Sequence, residues 1–233
     1  MPERSRKMNT ISFFDTKPYD KEFFDKENEK YGFHIIYHEE KLNKKTAVLA
    51  EGSDAVCAFV NDDIGADTLK VLDKQNIHMI AMRCAGFNNI DFKLAKEKFH
   101  VARVPAYSPY AVAEHAIGML LMLNRKLHRA YIRVRDYNFS LNGLTGFDIH
   151  GKTVGVIGTG KIGRSFIDIC KGFGTEVLAY DPYPVKDSDI HYVELDELFR
   201  RSDIISLHCP LTKESYHIID KKSLSKMKDG VYI

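Results

Sequence analysis

The feature that most constrains this chain is the run from Thr153 to Asp181, TVGVIGTGKIGRSFIDICKGFGTEVLAYD. A short apolar stretch, Val154 to Ile157, meets Gly158-Thr159-Gly160-Lys161-Ile162-Gly163; a helix-like segment follows, and a second apolar stretch ends on an acid. That order reads as strand, tight turn, helix and second parallel strand, and each part has a mechanical reason. Gly158 permits the sharp turn out of the strand. Gly160 has no side chain to hold a ligand away from the backbone. Gly163 lets the helix lie close on the sheet. The first turn of the helix then offers unpaired N–H groups and a positive dipole end to phosphates. Asp181 follows the β-like residues 177–180, where a carboxylate accepts hydrogen bonds from ribose hydroxyls and repels a 2′-phosphate. The segment, Thr159 included, is therefore the candidate cradle of a dinucleotide, with NAD favoured over NADP.

The chain has 233 residues, 44% hydrophobic and 28% charged, enough for one large domain or two modest ones with buried cores. A formal net charge of +2 gives no strong global field to recruit nucleic acid or a membrane surface. The four cysteines, Cys57, Cys84, Cys170 and Cys209, are far apart and form no CxxC pair, which fits a reducing cytoplasm. The basic opening MPERSRK is not followed by an apolar signal core, so secretion is not expected, and the segment reads as a frayed extension before Met8. The most apolar helix candidate, Ala116 to Leu123, is eight residues long, too short to span a bilayer.

Upstream of the glycine turn, strand-like segments (10–14, 33–37, 55–60, 77–82, 101–104) alternate with helix-like ones (21–31, 46–51, 66–75, 92–99). Five strands interleaved with four helices predict an α/β domain, a parallel sheet covered by helices on both faces. Residues 1–105 are read as a compact flavodoxin-like domain. Ser108-Pro109 then supplies an N-cap and a first-turn proline. They open a helix whose apolar stripe is Val112, Ala113, Ala116, Ile117, Leu120 and Leu121. Residues 131–147 read as an irregular polar arm suited to packing on another surface, such as a second subunit. The second domain, 106–233 with that helix and arm included, has strands over 153–157, 177–180, 204–207 and 231–233. A complete dinucleotide-binding sheet has about six strands, so a truncated Rossmann domain ending after its fourth strand is expected.

Open α/β sheets bind ligands at the carboxyl ends of their strands. One such end is Cys84-Ala85-Gly86, whose successive N–H groups can form a nest for a carboxylate. Tyr107 carries a hydroxyl that can reach the same ligand. A plain strand-to-helix connection explains these residues equally well, and spacing leaves the two readings open. His34 and His38 lie on one face of a strand but roughly 13 Å apart, too far for one metal ion, and no metal site is expected. Glu114 and His115 diverge on their helix and read as packing or interface residues. The basic run Arg125, Lys126, Arg129, Arg133 and Arg135 reads as a solvated or subunit-contacting face. His208-Cys209-Pro210-Leu211 follows a strand and suits a loop flanking an adenosine.

Taken together, RCAGFNNID from Arg83, VPAYSP from Val104, AEHA from Ala113, the glycine turn, YDPYP from Tyr180 and SLHCPLT from Ser206 resemble the D-2-hydroxyacid dehydrogenases. NFSLNGLTG from Asn138 resembles more narrowly their bacterial fermentative D-lactate branch, and the likeness runs from Ile11 onward. It implies a substrate domain and an NAD domain that close over a small 2-keto acid, and a homodimer. It further implies that the Cys84, Ala85 and Gly86 backbone holds the substrate carboxylate with help from Tyr107. Lys161 and Ile162 would lie against the pyrophosphate, Asp181 on the ribose, and Cys209, Pro210 and Ser215 around the adenosine. Ser215 stands where the family commonly has Thr or Asn, which keeps a hydrogen-bonding side chain. The family's catalytic arginine, histidine and orienting acid follow a strand like Gly230-Val231-Tyr232-Ile233, so they are expected beyond Ile233. His115, His208 and His217 match family positions that are not the acid.

The expected function is therefore NAD-dependent interconversion of pyruvate and D-lactate, by a chain that lacks its catalytic region and does not turn over alone. Two alternatives stand beside it. One is a non-catalytic NAD-binding regulatory module, against which the abrupt apolar Val231-Tyr232-Ile233 argues. The other is a dehydrogenase for a different 2-hydroxy acid, with glyoxylate, hydroxypyruvate or a branched 2-keto acid as partner substrate.

Overall fold

The computed structural model describes residues 9–186 and 188–233, and the chain divides into two compact units, Met1–Tyr107 and Ser108–Ile233. The basic opening segment lies outside the described residues. In the first unit the strands are β1 (Thr10–Phe13), β2 (His34–Tyr37), β3 (Ala55–Ala58), β4 (Met79–Met82) and β5 (His100–Arg103). Between them come α1 (Pro18–Asn28), a 3-10 turn (Ala47–Ala50), α2 (Ala66–Lys74) and α3 (Phe92–Lys98). All strands pair in parallel in the order β2-β1-β3-β4-β5, the flavodoxin-like arrangement. A parallel strand with helices on both sides has no solvent face, and Val56, Cys57 and Ala58 are accordingly all buried in succession. Val56 and Ala58 share a core with Phe14, Leu69, Leu72, Ile80 and Ala95. Helix α1 begins at Pro18, ahead of the expected 21, because the proline takes the first turn and the Lys17 N–H donates to Asp20 at 3.0 Å.

The second unit contains α4 (Pro109–Arg125), α5 (Leu127–Arg135), β6 (Thr153–Ile157), α6 (Lys161–Gly172), β7 (Glu176–Tyr180), α7 (Leu195–Arg201), β8 (Ile204–Leu207) and α8 (Lys221–Leu224). Its strands run parallel in the order β7-β6-β8. Single parallel bridges extend both edges, Ala179 with Tyr192 and Ile204 with Tyr232. The spatial order Tyr192, β7, β6, β8, Tyr232 is the 3-2-1-4-5 order of a dinucleotide-binding sheet. The expected count of four strands is thus corrected. Residues 231–233 form one bridge instead of a strand, and they occupy the fifth position; the third, at Tyr192, carries no two-residue period long enough to read from sequence.

Strand β6 shows how the sheet is built. Val154 and Val156 face a core with Ala113, Ile117, Phe166 and Ile167 of α4 and α6, while Ile157 faces Leu198 and Phe199 of α7. A Cβ at Gly155 would lie 2.6 Å from Leu198, so that glycine lets α7 approach. The expected arm at 131–147 is also corrected: α5 continues to Arg135, after a left-handed Lys126 (φ 51°) breaks it from α4. The irregular segment beyond is pinned by the basic run. Arg133 donates to the carbonyls of Ser140 (3.1 Å) and Asn142 (2.6 Å), and Lys126 to that of Thr145. Two residues expected on a solvated or subunit-contacting face therefore serve their own chain. Among the described residues, no helix is long and apolar enough to cross a membrane.

Candidate functional site

The parallel register pairs Ile157 of β6 with Tyr180 of β7, so the turns leaving the two strands emerge side by side. Gly158 takes φ 97° and donates its N–H to the Tyr180 carbonyl at 2.8 Å, a conformation that favours glycine. A Cβ there would meet Cys209 N at 2.7 Å, and a Cβ on Gly163 would lie 2.0 Å from the Gly158 carbonyl oxygen. Gly160, by contrast, has open space around its Cβ position and caps α6 with no side-chain hydrogen bond. Lys161, exposed, and Ile162, half-buried, occupy the first turn of that helix. Its leading N–H groups thus remain available to an anion.

Asp181 is held beside this turn. Its Oδ2 accepts both the N–H (2.7 Å) and the hydroxyl (2.9 Å) of Thr159, and its Oδ1 accepts the Tyr183 N–H at 2.9 Å. Partial burial works against ionisation, but these donors outweigh it and hold the carboxyl below its ordinary range. The group is a carboxylate at neutral pH. Asp181 also lines a cavity of about 440 Å³ with Gly158, Gly160, Tyr183, Leu195, His208, Cys209, Pro210, Ser215 and Ile218. The Ser215 hydroxyl donates to the Pro210 carbonyl at 2.6 Å and receives the Thr212 N–H at 2.7 Å, which fixes the loop after β8 as one wall. His208, half-buried against Phe166, is kept neutral by burial, and its Nε2 lies 3.0 Å from the Ser206 hydroxyl. Of the expected cofactor residues, Gly158, Gly160, Asp181, Cys209, Pro210 and Ser215 meet in one cavity. Thr159 is buried behind it and touches it through Asp181, while Lys161 and Ile162 sit outside its walls.

In the first unit the candidate nest, Cys84-Ala85-Gly86, lies just beyond the end of β4. Among the described residues, no acceptor takes the N–H groups of Ala85 and Gly86, as an anion-binding turn requires. Arg103 donates to the Ala85 carbonyl at 3.0 Å and stacks over Phe87, fixing the peptide's orientation. Just before the nest, the Arg83 guanidinium lies between the rings of Phe13 and Phe59 and donates to the Asp15 carbonyl at 2.7 Å. Sequence reasoning gave neither arginine a role, although Arg83 opens the RCAGFNNID stretch, because contacts with Phe13, Asp15, Phe59 and Ala85 leave no local spacing signal. Cys84 is buried, its thiol pushed toward the neutral form by burial and directed at the Gly86 carbonyl. Tyr107 is 62% exposed and has no hydrogen-bond partner among the described residues. The histidines weighed as metal ligands part company: His34 is exposed, while His38 stacks on Phe14 and lies 3.2 Å from the Ser12 hydroxyl.

The model of a family described as D-isomer specific 2-hydroxyacid dehydrogenase, NAD binding domain, matches residues 117–233. D-lactate dehydrogenase of Escherichia coli is 53% identical over 227 residues, covering 96% of this chain and 69% of that protein. The chain belongs to the D-isomer-specific 2-hydroxyacid dehydrogenases. A 2-hydroxyacid dehydrogenase homolog of Schizosaccharomyces pombe is 56% identical, with the same coverage of 96% and 69%. The apo structure of the Escherichia coli D-lactate dehydrogenase superposes with a TM-score of 0.88 at 53% identity, covering 96% of this chain and 72% of that one. The Aquifex aeolicus D-lactate dehydrogenase complexed with NAD and lactic acid gives 0.79 at 33% identity, covering 95% and 67%.

Membership makes NAD the cofactor of this dehydrogenase. The cavity residues fit it: an open backbone at Gly160 and uncapped N–H groups suit a pyrophosphate, and a charged Asp181 suits ribose hydroxyls.

Proposed function

We propose that this dehydrogenase reduces pyruvate with NADH to D-lactate, and that residues 1–105 and 106–233 are its substrate and NAD domains. The identity with D-lactate dehydrogenase of Escherichia coli, 53% through both units, is the observation that carries the reading. When bound, NADH supplies the hydride. The N–H groups of Ala85 and Gly86, with the Tyr107 hydroxyl, hold the substrate carboxylate, and Arg103 keeps the nest in shape through the Ala85 carbonyl. The Gly158–Gly163 turn, with Thr159, Lys161 and Ile162, seats the pyrophosphate; Asp181 takes the ribose and rejects a 2′-phosphate. Cys209, Pro210 and Ser215 bound the adenosine. Its setting is a reducing cytoplasm, where the free thiols of Cys57, Cys84, Cys170 and Cys209 persist. Pyruvate reduction there regenerates NAD, as fermentation requires.

None of His115, His208 and His217 is assigned as the proton donor, because they match family positions other than the acid, and the half-buried His208 has its Nε2 3.0 Å from the Ser206 hydroxyl. General acid catalysis contributes about 10²–10⁴-fold. The chain of residues 1–233 is therefore expected to bind NADH, seen as enhanced and blue-shifted nicotinamide fluorescence, without pyruvate-dependent oxidation. Turnover by this chain would refute the assignment of the acid elsewhere; absence of NADH binding would refute the cradle. Competition of glyoxylate, hydroxypyruvate and a branched 2-keto acid against pyruvate tests the substrate.

A further inference from the structure

The carboxylate that faces the adenosine cavity stands at the end of a chain of hydrogen bonds. The Val185 N–H donates to the Tyr192 phenol oxygen at 3.1 Å, and the Tyr192 hydroxyl donates to the Thr159 hydroxyl oxygen at 3.0 Å. The Thr159 hydroxyl donates in turn to Asp181 Oδ2 at 2.9 Å, joined there by the Thr159 N–H. Each hydroxyl in the row accepts one hydrogen bond and donates the next, so the polarisations reinforce one another toward the carboxylate. The geometry has a source in the sheet. Tyr192 bridges Ala179, two residues before Asp181, with the Ala179 N–H on the His191 carbonyl and the Val193 N–H on the Ala179 carbonyl, both at 2.9 Å. The third sheet position, one bridge long, thus carries the phenol to the second residue of the glycine turn.

We propose that Thr159 and Tyr192 are positioning residues that fix the Asp181 carboxylate and thereby set the preference for NAD over NADP. A carboxylate offers about four acceptor directions, two on each oxygen. Oδ2 is taken up by the two Thr159 donors, and Oδ1 by the Tyr183 N–H, leaving one direction on Oδ1 for a ribose hydroxyl. Recognition therefore rests on the orientation of one oxygen, which the Thr159–Tyr192 pair decides. The same pair governs the cavity wall. The segment after Asp181 is tied at Tyr183 to Asp181 and at Val185 to Tyr192, and Pro182 and Tyr183 line the cavity. An untethered carboxylate is free to turn away, which weakens its hold on a ribose hydroxyl and relaxes its repulsion of a 2′-phosphate together.

The proposal rests on the NAD reading of this cavity, and the test separates the two. NADH and NADPH are titrated by fluorescence into the full chain and its variants, each checked by thermal melting. Tyr192→Phe keeps the ring that packs in the core and removes only the hydroxyl. It is expected to weaken NADH by about 3- to 10-fold, the worth of one hydrogen bond, while NADPH weakens less, so that the NADH/NADPH ratio falls. Thr159→Val is expected to lower the ratio further, and Thr159→Ser to restore it. In an Asp181→Ala background, Tyr192→Phe should leave NADH affinity within about 2-fold, since the coupling partner is gone. A folded Tyr192→Phe variant with an unchanged ratio overturns the proposal, as does an effect that persists without Asp181. A parent chain that binds NADH without discriminating against NADPH also overturns it. A parent that binds neither overturns the cofactor reading beneath it.

Discussion

Gly160 and Gly163 occupy the same turn and do different work. A methyl on Gly163 would sit 2.0 Å from a backbone carbonyl that has nowhere to go, whereas one on Gly160 meets nothing within 4 Å. Gly163→Ala is accordingly expected to cost about 1–3 kcal/mol of stability and to abolish NADH binding by pushing α6 off the turn. Gly160→Ala should change stability by less than about 1 kcal/mol. It should still weaken NADH by about 10-fold or more, because the methyl fills the approach left open to the pyrophosphate. Thermal melts and NADH titrations of both variants check this; equal melting temperatures for the two would contradict it.

Among the elements, the sheet of the second unit is tied at its amino-terminal edge by Asp203, at the start of β8. Its Oδ2 accepts the Thr153 N–H of β6 at 2.9 Å and its Oδ1 the Lys228 ammonium at 2.8 Å. Its carbonyl receives the Tyr232 N–H at 3.1 Å, so one residue joins three sheet positions. Burial opposes ionisation here, but Lys228 and the Thr153 N–H prevail and lower the carboxyl from its ordinary 3.8. With the folded value depressed, the stabilisation is complete above the unfolded value and is lost as pH falls through the folded one. Asp203→Asn should cost about 1 kcal/mol at pH 7, screened by its partial exposure. The gap between parent and variant should close in strong acid. Urea midpoints at pH 7 and pH 2.5 measure both, and a gap that persists at pH 2.5 would show that the charge is not responsible.

At the scale of the molecule, α4 is apolar nearly all round. Ala113, Ile117 and Leu120 are buried in the core shared with α6, while Met119, Met122 and Leu123 are exposed. Helix α5 adds exposed Leu127, Tyr131 and Ile132, and the following segment adds Tyr137, Phe139 and Leu141. Helices apolar on every side are normally covered, and exposed apolar surface of this extent marks an interaction face. We propose a homodimer through it. Sedimentation should give about 53 kDa, twice the 26.7 kDa chain. Leu127→Glu combined with Ile132→Glu should give the single-chain mass, and a variant that stays dimeric would place the interface elsewhere.

What the residues determined alone was much of what local chemistry dictates, although the helix Leu127–Arg135 escaped the reading. Short β-rich and apolar runs located the strands of the first unit to within two residues at either end. The glycine spacing fixed the turn, and the acid after β7 marked the candidate ribose site. These are properties of contiguous segments, where backbone sterics and side-chain period act within a few residues. The tertiary structure decided what depends on partners distant in sequence. It set the order of strands, the single bridges at Tyr192 and Tyr232, and the turning of Lys126 and Arg133 onto their own loop. It also brought the hydroxyls of Thr159 and Tyr192, 33 positions apart, into one row on Asp181. A lone bridge or a hydroxyl pair leaves no periodic trace in a chain; only the parallel register of β6, β7 and the Tyr192 edge brings those atoms within hydrogen-bonding reach.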